Sequence, residues 1–297
     1  MKVLCIGNST YDITLLVSGY PIENKKIKLN DEIVECGGGS ASNVSYLLAS
    51  WKIDTAISSV IGNDIYGSLI EKEYKDVNID LKYLEKRDIK TSTSYIITNK
   101  ENGSRTILIN RDKNLKFDKI KSINEKYDYI YSDGSFSELA YDTIVNNKES
   151  VSILDAGRLN DDTIKLCKVV DYIICSNDFA RSYTNINFSY DDIDSIKKVY
   201  DLIAKDFKGL LIITLEKYGS FVKIDNEYHL IPSIEVKQID STGAGDIYHG
   251  AFLYFLSLGY SVLECMKYAN IAGAISVTRI GGRNSIPTLH EVISYVK

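Results

Sequence analysis

Asp240-Ser241-Thr242-Gly243-Ala244-Gly245-Asp246 runs straight into Ile247-Tyr248-His249-Gly250-Ala251-Phe252-Leu253. The first seven residues read as a glycine-rich turn and the next seven as an apolar helix, with a carboxylate in the helix's first turn. Gly243 and Gly245 can take backbone angles closed to other residues. Both are expected to use them, so that N–H groups crowd around one point at the helix N-terminus. That point favours an anion, because the unpaired donors and the helix dipole both aim there. Asp246 sits beside it. An anion hole next to a carboxylate suits transfer of a phosphoryl group onto a hydroxyl: the backbone stabilises charge on the moving group, and the carboxylate takes the hydroxyl proton. A Gly-Ala-Gly turn before a helix is common and an early Asp is a routine dipole partner, so the glycines alone carry limited weight.

The chain has 297 residues, 44% of them hydrophobic and 25% charged, which is ordinary for a globular protein with a sizeable core. A net charge of -5 and a pI near 5.4 argue against a nucleic-acid or anionic-membrane surface. Local phosphate binding by backbone N–H groups is compatible with an acidic chain. The five cysteines, Cys5, Cys36, Cys167, Cys175 and Cys265, are scattered without a CxxC pair. They suggest neither a disulfide framework nor a zinc site. His229, His249 and His290 are too far apart in the chain to suggest a zinc set. The first apolar run, Val3 to Ile6, is too short for a signal peptide, and no apolar stretch approaches the ~18 residues of a membrane span. The expected location is cytoplasmic.

Around the turn, the chain alternates. Apolar runs at Val3–Gly7, Ala56–Gly62, Tyr129–Tyr131, Val151–Asp155, Tyr172–Cys175 and Leu210–Thr214 read as strands. Helical spacing covers Val44–Ala49 and Ile65–Val77, with further helices from about Ala244, Ser261 and Thr288. Strands alternating with helices predict a three-layer α/β/α fold with a mostly parallel sheet covered on both faces. Two β-only stretches do not fit that layer: residues 13–36, and a hairpin in which Thr91–Thr98 and Arg105–Asn110 flank the turn at 99–104. A second hairpin is expected near Asp225-Asn226. The reading is one domain over 1–297, with a small β-sheet lid made by insertions at about 13–36 and 90–110. Ligands of such sheets bind at the carboxyl ends of the strands, where both glycine-rich turns are expected.

The second such turn is Cys36-Gly37-Gly38-Gly39-Ser40-Ala41-Ser42-Asn43. It is not a P-loop, since no Gly-Lys-Ser/Thr follows, and Gly7-Asn8-Ser9 lacks the later glycines of a dinucleotide fingerprint. Together with the 240–246 string, it resembles the motif pair of the ribokinase-like (PfkB-type) carbohydrate kinases. The resemblance extends over nearly the whole chain. It implies an ATP-dependent kinase acting on a hydroxyl of a small polyhydroxylated substrate, most simply the primary hydroxyl of a sugar such as a ketose or ribose. By the same resemblance Asp246 is the general base, and Gly243, Ala244, Gly245 and Asp246 form the anion hole. Asp12, Gly38, Gly39 and Asn43 are implied to hold the sugar. Small residues let a polyol approach the backbone, and an Asn both donates to and accepts from hydroxyls. Arg105, in Gly103-Ser104-Arg105-Thr106, resembles the Gly-x-Arg-Thr of fructokinase relatives and is a candidate contact to substrate or phosphate.

For the nucleotide, the resemblance implies Asn177, Thr214, Glu216, Gly219, Thr242 and Asn270, with Mg2+ bridging the phosphates near Asn177. The loop 279–285, Asp240 and Thr242 match a monovalent-cation site, so potassium is an expected cofactor. Two positions depart from the family pattern. Asn177-Asp178-Phe179-Ala180 keeps the Asn of an Asn-x-x-Glu motif but has Ala180 for its Glu, and Thr214-Leu215-Glu216 has Glu216 for the Gly of Thr-Leu-Gly. Both touch the expected handling of Mg–ATP. Asp155 and Arg158 either reach the site or pair with each other, and His249, one helical turn beyond Asp246, reads as packing or as a support behind that residue rather than as a second base. A nucleoside kinase of the same family is the nearest alternative; a sugar-binding relative with weak or no catalysis is the other. A homodimer through the lid is the expected assembly, because exposed sheet edges seek partners.

Overall fold

The computed structural model describes residues 1–115 and 120–296. Among them, β1 (Lys2–Ile6), β4 (Asp54–Gly62), β5 (Asp80–Arg87), β8 (Tyr129–Ser132), β9 (Val151–Ala156), β10 (Tyr172–Cys175), β11 (Leu210–Thr214), β12 (Ser220–Ile224) and β13 (Glu227–Ile231) form one sheet. Its order is β13-β12-β11-β10-β9-β8-β1-β4-β5. All neighbours are parallel except β11–β12 and β12–β13, the hairpin at one edge. A second sheet, β3-β2-β6-β7, is built from β2 (Thr10–Val17), β3 (Val34–Gly38), β6 (Thr93–Asn99) and β7 (Arg105–Asn110).

Period-two alternation explains why the large sheet is covered twice. In β1, Val3 and Cys5 face one apolar cluster while Leu4 and Ile6 face the other. In β11, Ile212 opposes Leu211 and Ile213 in the same way. One cluster takes in α1 (Ser40–Ser50), α7 (Ala244–Ser257), α8 (Val262–Ser276) and α9 (Leu289–Ser294); the other takes in α3 (Ser137–Asn146), α4 (Asp161–Cys167), α5 (Asn177–Thr184) and α6 (Ile193–Ala204). A third, smaller cluster sets α2 (Ile65–Asp76) against β4 and against Tyr11 and Ile13 of the small sheet. No helix among the described residues is long and apolar enough to cross a membrane.

Two details differ from the expectations. β5 was not foreseen. It is an edge strand of Asp-Leu-Lys-Tyr-Leu-Glu-Lys-Arg in which only Tyr83 is buried, so its charged positions hide the alternation. The glycine-rich turns also do not leave strands of the large sheet: the one at 36–43 leaves β3 of the small sheet, and the one at 240–246 ends residues 232–243, which hold no strand. The foreseen hairpin turn does fall at Asp225 and Asn226, whose φ values of 50° and 65° suit a two-residue turn.

The strand order reverses around β1. From β1 the chain goes through β2, β3 and α1 to β4 on one side, and later enters β8 on the other. This is the switch point at which an α/β sheet opens a crevice at its carboxyl edge. A buried hydroxyl network fixes the elements there. Tyr74 of α2 bonds Ser9 at 2.6 Å and donates to Ser42 of α1 at 2.7 Å, and Ser9 donates to Ser59 of β4 at 2.8 Å. Tyr74→Phe leaves these hydroxyls short of a partner and is expected to cost about 1–3 kcal/mol in urea unfolding.

Candidate active site

At the crevice, the N-termini of α1 and α7 meet. Asn43 of α1 donates from Nδ2 to Asp246 Oδ2 at 2.7 Å, across 203 positions of sequence. Asn43 Oδ1 is buried without a partner. α7 starts after Gly243, whose φ of 75° lies in the left-handed region. A Cβ there would also stand 2.9 Å from Gly282 Cα. Gly245 departs from expectation: it sits within the helix rather than at positive φ, and a Cβ on it would meet nothing within 4 Å. It thus leaves open space over the helix start. The N–H groups of Gly243, Gly245 and Asp246 have no acceptor among the described residues. Three donors and a carboxylate therefore share one end of α7.

Burial pushes the Asp246 carboxyl up from 3.8 to about 6; the Asn43 hydrogen bond opposes the rise and the nearby Asp155 carboxylate adds to it. Asp155 belongs to β9 and accepts from Ser40 Oγ at 2.9 Å, and Ser40 also bonds the Tyr131 hydroxyl at 3.0 Å. Asp155 forms no ion pair with Arg158, which is exposed; its Oδ1 instead lies 3.8 Å from His249 Nε2. His249 is therefore part of this polar cluster as well as packed.

Asp12 is buried in β2, and Thr10 donates to it at 2.9 Å. Burial raises its carboxyl, against hydrogen bonds from Ser94 and Thr10. Gly38 must be glycine, because a Cβ would land on the Asp12 carboxylate. One position on, a Cβ at Gly39 would stand 2.5 Å from the Asn8 carbonyl oxygen. Asp133, just past β8, accepts from the backbone N–H of Asn8 at 2.8 Å and of Ala41 at 3.3 Å. Neither it nor Ser40 was singled out from the sequence. The available signal was an Asp-Gly pair after a strand beside the switch point.

Arg105 reaches the signature turn by donating to Ser241 Oγ. Asp240 is buried and accepts from Thr242 N at 3.0 Å, Thr242 Oγ1 at 2.7 Å and Gly281 N at 2.9 Å, with no cationic partner among the described residues. Loop 281–285 is anchored by Arg283, which pairs with Glu73 and donates to Ser42. Glu73 in turn accepts from Gly37 N at 3.0 and 3.1 Å.

The remaining residues divide. Asn177 opens α5 and donates to Tyr190 and, at 3.2 Å, to Glu216 Oε1. Glu216 holds a φ of 52°, a conformation suited to the glycine of the family pattern. Ala180 is fully buried in an apolar cluster, so its side chain does not face the crevice. Thr214 donates to the Cys175 carbonyl at 3.2 Å and Asn270 to the Ile231 carbonyl at 2.8 Å, so both tie strands or helices together. Gly219, at φ 105°, turns the chain into β12.

An acid whose native pKa lies above its unfolded one weakens the fold as pH rises. For Asp246 the cost begins near 3.8 and is complete above about 6. Asp246→Asn is therefore expected to stabilise the protein at pH 7 by on the order of 1–3 kcal/mol, with the gain shrinking toward about pH 4 in thermal melts.

The chain matches the family model described as pfkB family carbohydrate kinase over residues 1–289. It is 26% identical to ribokinase of Staphylococcus aureus (strain COL) over 302 residues, covering 98% of each chain. It is 27% identical to a nucleoside kinase of Methanocaldococcus jannaschii, covering 98% of this chain and 95% of the other. Among solved structures it resembles Arabidopsis thaliana ribokinase complexed with ribose and ATP, with a TM-score of 0.80, 21% identity, and 100% and 98% coverage. The chain belongs to the pfkB family of carbohydrate kinases, phosphotransferases with an alcohol group as acceptor.

Proposed function

We propose that this chain is an ATP-dependent kinase that phosphorylates a hydroxyl, preferably primary, of a sugar such as ribose or a ketose. The observation that carries the reading is the convergence of Asn43, Asp246 and the free N–H groups of α7. Bound ATP with Mg2+ supplies the activated phosphoryl group. Asp246 takes the proton from the acceptor hydroxyl, and its raised proton affinity suits that task near neutral pH. Asn43 holds the base in place with one end of its amide and offers Oδ1 to the substrate. The N–H groups of Gly243, Gly245 and Asp246 stabilise charge on the group in transfer. Asp12, Gly38 and Gly39 line the sugar, and Arg105 stands over the signature turn. The small sheet serves as the lid that excludes water, within one kinase unit spanning the chain.

No group of three metal-ligating side chains occurs among the described residues, so Mg2+ would be held chiefly by phosphate oxygens, with Asn177 and Glu216 alongside. Potassium fits Asp240, a buried carboxylate without a cationic partner among the described residues, together with Thr242. The nucleoside alternative is supported by the Methanocaldococcus relative, whose identity equals that of the ribokinase within a single percentage point. The weak-catalysis alternative draws on Ala180 and Glu216.

The test is ADP release with Mg-ATP and potassium across ketoses, aldoses, sugar acids and nucleosides. One strongly preferred sugar is expected; a preferred nucleoside would replace the substrate, and silence with no ATP binding would support the non-catalytic alternative. On the preferred acceptor, Asp246→Asn should lower kcat by roughly two or more decades while acceptor binding persists. Full activity would remove Asp246 as base. For assembly, β7 presents Ile107, Leu108 and Ile109 to solvent, and we propose that two chains pair through this sheet. Sedimentation should report a dimer that Leu108→Lys dissociates.

A further inference from the structure

The small sheet is held to the rest of the molecule at both of its edges, and unequally. Its order is β3-β2-β6-β7. At the β3 edge, the Gly37 N–H donates to Glu73 at 3.0 and 3.1 Å, and Glu73 pairs with Arg283, whose side chain is 2% exposed. A Cβ on Gly37 would fall on the Arg283 guanidinium, so the two are in close contact. β3 also runs through Gly39 directly into α1. At the other edge, the hairpin of β6 and β7 meets residues 238–241 through three side chains. Gln238 Nε2 donates to the Gly103 carbonyl at 3.1 Å, Arg105 donates to Ser241 Oγ, and Thr98 Oγ1 donates to Asp240 Oδ1 at 3.4 Å. Gly103 holds a φ of 68°, and a Cβ there would stand 2.9 Å from Gln238 Cγ. Gln238 and Arg105 are exposed, and the buried bond between Thr98 and Asp240 is long.

We propose that this second edge is a latch: the small sheet pivots about β3 and opens between the β6–β7 hairpin and residues 238–241, with Thr98 and Asp240 as the positioning pair. This rests on the reading of the small sheet as a lid. Breaking the β3 edge would strand a buried guanidinium, which is costly. Breaking the other edge returns exposed groups to water and loses one long buried hydrogen bond. The latch also reaches the start of α7. The Asp240 oxygen that accepts from Thr98 accepts from Thr242 N and Oγ1 as well, and its other oxygen accepts from Gly281 N. The N–H groups of Ile239 and Asp240 both donate to the Val277 carbonyl, just past α8. Opening the hairpin therefore removes a donor from the carboxylate around which the turn into α7 is built. The turn is fully set only when the sheet is shut, so phosphoryl transfer and the exclusion of water are tied to one contact.

Amide hydrogen exchange of the ligand-free protein, read by mass spectrometry, tests the latch without any substrate. Thr98→Val keeps the shape of the side chain and leaves Asp240 its bonds from Thr242 and Gly281, so the fold should survive. Exchange should rise roughly fivefold, the scale of one hydrogen bond, in 98–105 and in 238–242 together, while 34–38 stays protected. Thr98→Ser should restore the original rates. Where Thr98→Val fails to fold, Arg105→Ala at the exposed end of the latch gives the same reading. A rise confined to 98–105, an equal rise in 34–38, or no rise overturns the proposal. With Mg-ATP and the acceptor preferred in the panel above, ADP released per acceptor phosphorylated should exceed one in Thr98→Val, as water enters the open crevice. A ratio that stays at one overturns the tie between latch and transfer. If no acceptor yields ADP, the kinase reading falls instead, and the exchange rates alone decide the latch.

Discussion

Everything at the crevice hangs on one hydrogen bond, from Asn43 to Asp246. It joins the first turns of two helices that arrive from opposite ends of the chain. α1 leaves the small sheet through a glycine turn, and α7 leaves a strandless segment through another. Each helix brings unpaired N–H groups and the positive end of its dipole to the same spot. Two such ends would repel without negative charge between them. Asp246, Asp155 and Asp133 supply it, each held by donors from the facing elements. Burial raises the proton affinities of Asp246 and Asp133, against the hydrogen bonds that each accepts.

The small sheet is tied to the same centre by different bonds. Arg283 links loop 281–285 to Ser42 on α1 and to Glu73 on α2, and Glu73 accepts the N–H of Gly37 on β3. Gly282, next to Arg283, packs against Gly243 and Asn43. A guanidinium with two partners and aromatic rings of Tyr46 and Tyr74 at 4.9 and 5.3 Å is firmly fixed. The glycine-rich turns at 37–39 and 240–246 are therefore positioned by one common anchor.

Much of this was legible in the sequence. Apolar runs of three to seven residues mark the buried parallel strands, because both faces of the sheet are covered. The helices expected from about Ser261 and Thr288 form, and each is closed at its start by a capping box with the Glu three residues on. What escaped was held by long-range placement. β5 is too charged to read as a strand, and Asp133 and Ser40 matter only once β8 and α1 are brought together. Asp155 and Arg158 were adjacent candidates, but the fold turns one toward His249 and leaves the other exposed. Gly245 was read as a backbone device; in the helix it acts by the absence of a side chain.

Ala180 and Glu216 depart from the family pattern at unequal physical cost. The family pattern puts a carboxylate at that position, but here the methyl group is sealed in the apolar layer between α5 and the sheet. Ala180→Glu would drive an ionised group into that layer, at a cost of several kcal/mol unless α5 moved with it. Glu216, meanwhile, occupies a backbone conformation that a glycine would hold with less strain. The two departures are thus unequal. A glycine at 216 would relax the backbone by a single change, whereas a glutamate at 180 would have to displace α5 from the layer it packs in.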